Sequence, residues 1–146
     1  DLGVAFVAFS PLGRGFLADA LTAPADVAAL PEKDIRRPMP RFTPEHFQRN
    51  LALLPPLRAL AADVGATPAQ LALAWLLHQG DDILPIPGTR SAAHLKEDLG
   101  ADGLQLSPDQ LQALGNLINT ATVSGHRYAE QARREVDTED IAQPAG

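Results

Sequence analysis

The chain has 146 residues, 45% of them hydrophobic, and a formal net charge of -6. That length is about one ordinary domain with enough apolar content for a core, and the negative balance argues against nucleic acid or an anionic membrane as the main partner. Cysteine is absent, which removes disulfides, thiolate metal sites and thiol nucleophiles.

No run approaches the ~18 apolar residues of a spanning helix and no signal peptide is visible, so the expectation is a cytoplasmic protein. The chain starts at Asp1 and its one methionine is Met39, which suggests a cut, processed or excerpted sequence. The first predicted element is a strand over residues 4–9. It is β-branched and aromatic without clean alternation, as a strand buried on both faces reads. Pro11, Gly13 and Gly15 end it. Residues 17–42 form a connection with prolines at 24, 31, 38 and 40 and a charged run, Glu32-Lys33-Asp34-Ile35-Arg36-Arg37. It reads as an irregular excursion with a short helix over residues 24–30, and connections of this length are commonly functional or disordered.

Thr43 and Pro44 predict a helix start, as N-cap and first helical residue. Phe47, Leu51, Leu54, Leu57, Leu60 and Ala61 recur at helical spacing. Pro55-Pro56 interrupts them. An interior proline costs ~3 kcal/mol, so the pattern predicts a kink or two helices. Thr67-Pro68-Ala69-Gln70 is a capping box. The helix it opens, with Trp75, is apolar nearly all round, as in a helix laid on a sheet, and Gly80 marks its stop. A second strand spans residues 83–86, where Pro85 suits a strand end or a bulge. A helix follows from Ser91 to Leu99, closed by Gly100. Another capping box, Ser107-Pro108-Asp109-Gln110, opens a helix to about Ile118. The tail after Thr120 is polar and weakly patterned. Strands alternating with helices imply right-handed crossovers and a parallel sheet. Two strands cannot close a barrel, so the chain reads as an α/β fold with an incomplete sheet.

Two segments are candidates for chemistry. Each is an apolar run ending in a glycine-containing polar turn, the way a buried parallel strand delivers a loop to a phosphate. In Ser10-Pro11-Leu12-Gly13-Arg14-Gly15, glycines permit close backbone approach and Arg14 can offset anionic charge. In Gly88-Thr89-Arg90-Ser91, the start of a helix favours an anion. Arg90 adds a forked cation, and Thr89 and Ser91 add hydroxyls. Arg90, His94, Glu97 and Asp98 share one helix face, and Ala92, Leu95 and Leu99 form the apolar one. A cationic end for phosphate and an acidic end for an adenine amino group would read an adenosine phosphate. A capped surface helix with solvated charges is the plainer alternative.

The segment Leu2-Gly3-Val4 through Gly15-Phe16-Leu17 resembles the seventh-strand segment of bacterial and plant aldo-keto reductases. Ile83-Leu84-Pro85-Ile86-Pro87-Gly88-Thr89-Arg90, with His94-Leu95-Lys96-Glu97-Asp98-Leu99-Gly100-Ala101, resembles their eighth strand and cofactor helix. Pro40-Arg41-Phe42 through Asn50-Leu51 and the helix from Thr67 to Trp75 are similar as well. The resemblance implies part of a (β/α)₈ barrel, its last two strands and their helices, whose phosphate site lies after strands seven and eight. It implies that Ser10, Leu12, Gly13 and Arg14 line a pyrophosphate. It also implies that Gly88, Thr89, Arg90 and His94, with Ser91 beside them, surround an adenosine 2′-phosphate, hence NADPH over NADH. Glu97 and Asp98 would hold the adenine. The sequence departs from the family twice. The last position is usually asparagine, and an ionised Asp98 cannot donate. Position 94 is often arginine or another polar residue, and His94 is only partly charged near neutral pH.

The resemblance further implies hydride transfer from a nicotinamide to a small carbonyl substrate, with a tyrosine acid tuned by lysine, aspartate and usually histidine. None of those four has a counterpart here. Tyr128, in Gly125-His126-Arg127-Tyr128, matches the family's C-terminal segment and is read as packing the tail. His46 and His126 are expected near the surface and His78 at a helix end. No histidine pair has metal spacing. The competing functional class is a truncated, non-catalytic module that binds a dinucleotide or a partner and completes its sheet by association. A truncated product that does not fold stably is the blandest reading.

Overall fold

Strand β1 (Phe6–Phe9) and strand β2 (Ile83–Ile86) pair in parallel, Phe6 opposite Ile83 and Phe9 opposite Ile86. The computed structural model describes residues 3–136. Around the sheet run helices α1 (Pro24–Ala28), α2 (Pro44–Asn50), α3 (Leu54–Asp63), α4 (Pro68–Leu77), α5 (Ala92–Leu99), α6 (Pro108–Leu117) and α7 (Glu130–Arg133). Short 3₁₀ turns stand at Gly13–Gly15, Pro40–Phe42, Leu51–Leu53 and Gly100–Gly103. Among the described residues no single helix is long and apolar enough to cross a membrane.

The helix starts follow the local chemistry of the sequence. Thr67 accepts from the Gln70 amide at 3.2 Å while Gln70 Oε1 accepts from the Thr67 amide at 3.1 Å. Ser107 and Gln110 repeat the exchange at 3.2 and 2.8 Å. Pro55 and Pro56 resolve into two helices: a 3₁₀ turn separates α2 from α3, and both prolines lie in the first turn of α3. The amides of a first turn have no intrahelical partner, so proline costs little there. Thr43 occupies the N-cap of α2, but its hydroxyl donates backward to the Pro40 carbonyl at 2.9 Å and does not cap. His78 ends α4. Its Nδ1 lies 2.8 Å from the Ala74 carbonyl and its Nε2 accepts from the Leu106 amide at 3.3 Å. The second bond requires a bare Nε2, so the proton sits on Nδ1.

The main core joins Leu54, Leu57 and Ala61 of α3 to Leu71, Leu73 and Ala74 of α4 and to Leu114 of α6, with Ala101 and Leu106 between. Leu12, Phe16 and Leu17 pack on it, which anchors the loop after β1. A second cluster holds Leu21, Phe42 and Phe47. The Phe16 ring meets the Phe47 ring edge-on at 5.9 Å.

Two expectations change, and the packing decides which face of α5 turns inward. β1 starts at Phe6, not at residue 4, and it is not buried on both faces: Ala8 is buried, but Phe6, Val7 and Phe9 are exposed. Its apolar residues suit neighbours on both faces that a two-strand sheet does not supply. Pro85 lies within the paired strand opposite Ala8, with no bulge. Among the described residues β2 is paired on one side only, which leaves no ladder donor missing at Pro85 on the other side. On α5, Leu95 and Leu99 face solvent while Asp98 is buried, so the polar face is the inward one.

Candidate functional site

The parallel register brings the end of β1 beside the end of β2, so the two glycine-containing loops leave the sheet at the same edge. Between them lies a groove of about 1050 Å3. Ser10, Leu12 and Arg14 line it from the first loop, and Gly88, Thr89 and Arg90 from the second. His94, Glu97 and Asp98 of α5 close one side. Two residues singled out in the sequence do not line it. Gly13 faces an adjoining, mostly apolar cavity of about 360 Å3, which shares Ser10 and Arg14 with the groove. Ser91 is the N-cap of α5, accepting from the His94 amide at 3.3 Å.

The first loop turns through several left-handed residues. Gly13 and Gly15 have φ of 57° and 94°, and glycine adopts these freely. Ser10 and Arg14, at 52° and 58°, are not glycines. The turn is closed by the Gly13 amide on the Ser10 carbonyl at 3.0 Å, and by the Gly15 and Leu17 amides on the Leu12 carbonyl, each at 3.1 Å.

The second loop is opened by two hydroxyls. Thr89 Oγ1 accepts from the Ser91 amide at 3.1 Å, one turn ahead of the Ser91 cap. These oxygens, expected as ligand donors, are engaged within the turn itself. Gly88 is open, with nothing within 4 Å of where a Cβ would stand.

The long excursion, whose sequence carries no assignable role beyond its charged run, also reaches the site. Lys33, Asp34, Ile35 and Arg36 form another wall of the same groove. Arg36 pairs with Asp34, Nη2 to Oδ2 at 2.8 Å. The Arg36 guanidinium and backbone amide hold the Asp34 carboxyl down to about 2. The signal in the sequence was the charged run 32–37, with aspartate and arginine two apart.

Charge is divided along the groove. Arg14, Lys33 and Arg90 contribute cations, and none of the three makes a salt bridge among the described residues. Glu97 and Asp98 contribute carboxylates at α5. Burial pushes the Asp98 carboxyl up, Glu97 adds to the rise and His94 opposes it. α5 is held to α4 by Gln70, whose Nε2 donates to the Glu97 carbonyl at 3.0 Å.

The tail lies against β1. Arg127 places its guanidinium 4.2 Å above the Phe9 ring and donates to the Phe9 carbonyl at 3.2 Å. Tyr128 packs beside Arg127, its ring 5.8 Å from the guanidinium. Ser124 accepts from or donates to His46 Nδ1 at 2.8 Å, and Asn50 exchanges hydrogen bonds with the Ser124 backbone at 2.7 and 3.0 Å. His126, expected near the surface, is half-buried, and its Nδ1 is enclosed without a partner among the described residues. Trp75 packs against the core and donates to the Leu111 carbonyl at 3.1 Å.

Residues 1–119 match the aldo/keto reductase family, and the chain belongs to it. An aldo-keto reductase of Schizosaccharomyces pombe, yakc [NADP(+)], is 42% identical over 133 residues, covering 91% of this chain and 38% of the relative. An aldo-keto reductase of Strobilurus tenacellus, str7, is 34% identical over 143 residues, covering 98% and 42%. The chain thus spans about two-fifths of the length of these relatives. Among solved structures, a thermostable aldo-keto reductase, Tm1743, crystallised with the inhibitor epalrestat, is 28% identical with a TM-score of 0.48, over 80% of this chain and 30% of that one.

Proposed function

We propose that this chain forms the cofactor-binding portion of an NADPH-dependent aldo-keto reductase, one that reduces aldehydes or ketones to alcohols. In this reading the two strands and their helices are the last two strands of a (β/α)₈ barrel. In that barrel the exposed apolar residues of β1 and β2 would be covered on one face by the interior side chains of the other strands and on the other by the surrounding helices. The observation that carries the reading is the convergence of both loops on one groove with cations along it and carboxylates at α5.

The groove suits an anionic dinucleotide. Its volume is in the range that takes a small organic ligand. Arg14 and Lys33 offset the pyrophosphate. Arg90 forks onto the 2′-phosphate, with His94 beside it. Glu97 and Asp98 accept from the adenine amino group, and open Gly88 lets the backbone approach. NADPH, when bound, supplies the hydride that a carbonyl carbon accepts. The residues of this chain bind and orient; the proton donor is not among them, and Tyr128 serves the tail.

Titrating the chain with NADPH and NADH by fluorescence tests this. Saturable NADPH binding, several-fold tighter than NADH, is the expected result. Equal, weak response to both would remove the 2′-phosphate assignment, and no response to either would remove the cofactor reading.

A second reading, a module that completes its sheet on a partner strand, draws on the exposure of Phe6, Val7, Phe9, Leu84 and Ile86. A cooperatively melting monomer in solution would count against it.

A further inference from the structure

We infer that Arg36 is a positioning residue for the dinucleotide: gripped by Asp34, it holds the Arg14 carbonyl and fixes the turn that presents Arg14 to the groove. The inference rests on the cofactor reading above.

The geometry is a two-sided fork. Arg36 donates from Nε to Asp34 Oδ1 at 2.9 Å and from Nη2 to Oδ2 at 2.8 Å, and its own amide reaches Oδ1 at 2.9 Å. The remaining nitrogen, Nη1, donates to the Arg14 carbonyl at 3.3 Å, across 22 residues of chain. Arg14 has φ 58° and ψ 38°, a left-handed conformation that L side chains rarely adopt. Gly15, next in the chain at φ 94°, supplies a second left-handed residue, and the Arg36 guanidinium packs beside it, 3.7 Å from where a Cβ would stand. The excursion is itself braced, because Arg37 donates to the Leu30 and Ala28 carbonyls at 3.0 and 2.8 Å. A rigid segment therefore clamps a strained turn. Fixing that turn before the ligand arrives removes an ordering cost from binding. The other end of the loop has a comparable clamp that stands outside the groove. Arg58 forks onto Asp19, itself left-handed at φ 54°, with bonds of 2.8 and 2.9 Å.

Lysine cannot replace such a fork, since its single ammonium cannot reach both Asp34 oxygens and the Arg14 carbonyl in fixed geometry. The test compares the unaltered chain with Arg36→Ala, Arg36→Lys and, as a control clamp, Arg58→Ala. Calorimetry with NADP+ and with adenosine 2′-monophosphate reads binding, and amide exchange without ligand reads the turn. Adenosine 2′-monophosphate needs the second loop and α5 but no pyrophosphate. We expect both Arg36 variants to weaken NADP+ about fivefold to tenfold, the scale of one lost hydrogen bond of this kind. Adenosine 2′-monophosphate should bind as before, and exchange at the Gly15, Phe16 and Leu17 amides should accelerate. Rescue by lysine would overturn the inference in favour of simple charge attraction. Equal weakening of both ligands, or a loss matched by Arg58→Ala, would reduce Arg36 to general stability. Unchanged exchange would also overturn it. If the unaltered chain binds neither ligand, the cofactor reading and this inference both fall. If it binds both and ignores Arg36, only this inference falls.

Discussion

Phe9 closes β1 directly opposite Ile86, the last residue of β2. In a parallel pair that match puts both following loops at one edge, and the groove between them follows. A one-residue slip would also reverse which side chains face the helices. The register is therefore part of the site.

Arg90→Ala should weaken NADPH about tenfold or more and leave NADH nearly unchanged. A charge-assisted hydrogen bond contributes ~1.5–3 kcal/mol, and only the 2′-phosphate would lose one. Parallel titrations of the two nucleotides check this. An equal loss for both would move Arg90 away from the 2′-phosphate.

Asp98→Asn should stabilise the chain at pH 7. The Asp98 carboxyl is raised mainly by burial, so its ionised form carries a desolvation cost in the folded state. A raised carboxyl favours the fold as pH falls through its folded value, because protonation removes that cost. The advantage of asparagine should shrink in the same acid range. Melting temperatures of both proteins across pH 7 to 4 read the difference. The asparagine amide keeps an acceptor for the adenine amino group and adds a donor for an adenine ring nitrogen, which should tighten NADPH binding.

Asp34 behaves with the opposite sign. Its carboxyl is lowered from 3.8 to about 2 by the Arg36 side chain and amide. A lowered carboxyl contributes stability that is present above about pH 4 and is lost as pH falls toward about 2. Asp34→Asn should flatten that part of the acid-denaturation curve. Some acid sensitivity should remain, because Asp26 is also lowered, chiefly by the Thr22 and Ala23 amides.

Leu57→Ala should destabilise the chain by about 2–5 kcal/mol, the usual cost of emptying a packed leucine site. Leu57 is 0% exposed and Leu99 is 68% exposed, so Leu99→Ala should have little effect. Denaturant midpoints of the two variants distinguish the sites.

What the sequence disclosed was mostly local. The capping pairs Thr67–Gln70 and Ser107–Gln110 span three residues and are written in side-chain chemistry, so their helices were legible. So was the break at Pro55-Pro56, since proline acts on its own turn. The contact from Arg36 to the Arg14 carbonyl was not, because a 22-residue separation has no periodic signature. The charged run was visible, but its partners were not. β1 misled in an instructive way: its composition suits a strand with neighbours on both faces, and two strands alone leave Phe6 and Val7 uncovered. The inward turn of Asp98 was hidden for a related reason. Helical spacing gives the two faces of α5, and only tertiary packing decides which one points in.

Arg127 and Phe9 are 118 residues apart. A chain emerging from the ribosome at ~5–20 residues per second makes Arg127 on the order of ten seconds after Phe9. The β2 partner is made about two-thirds of the way through that interval, and the cation that covers the Phe9 ring comes only at its end. An apolar strand left waiting this long is an opening for chaperones and for aggregation, and the tail closes part of it by laying Arg127 over the Phe9 ring.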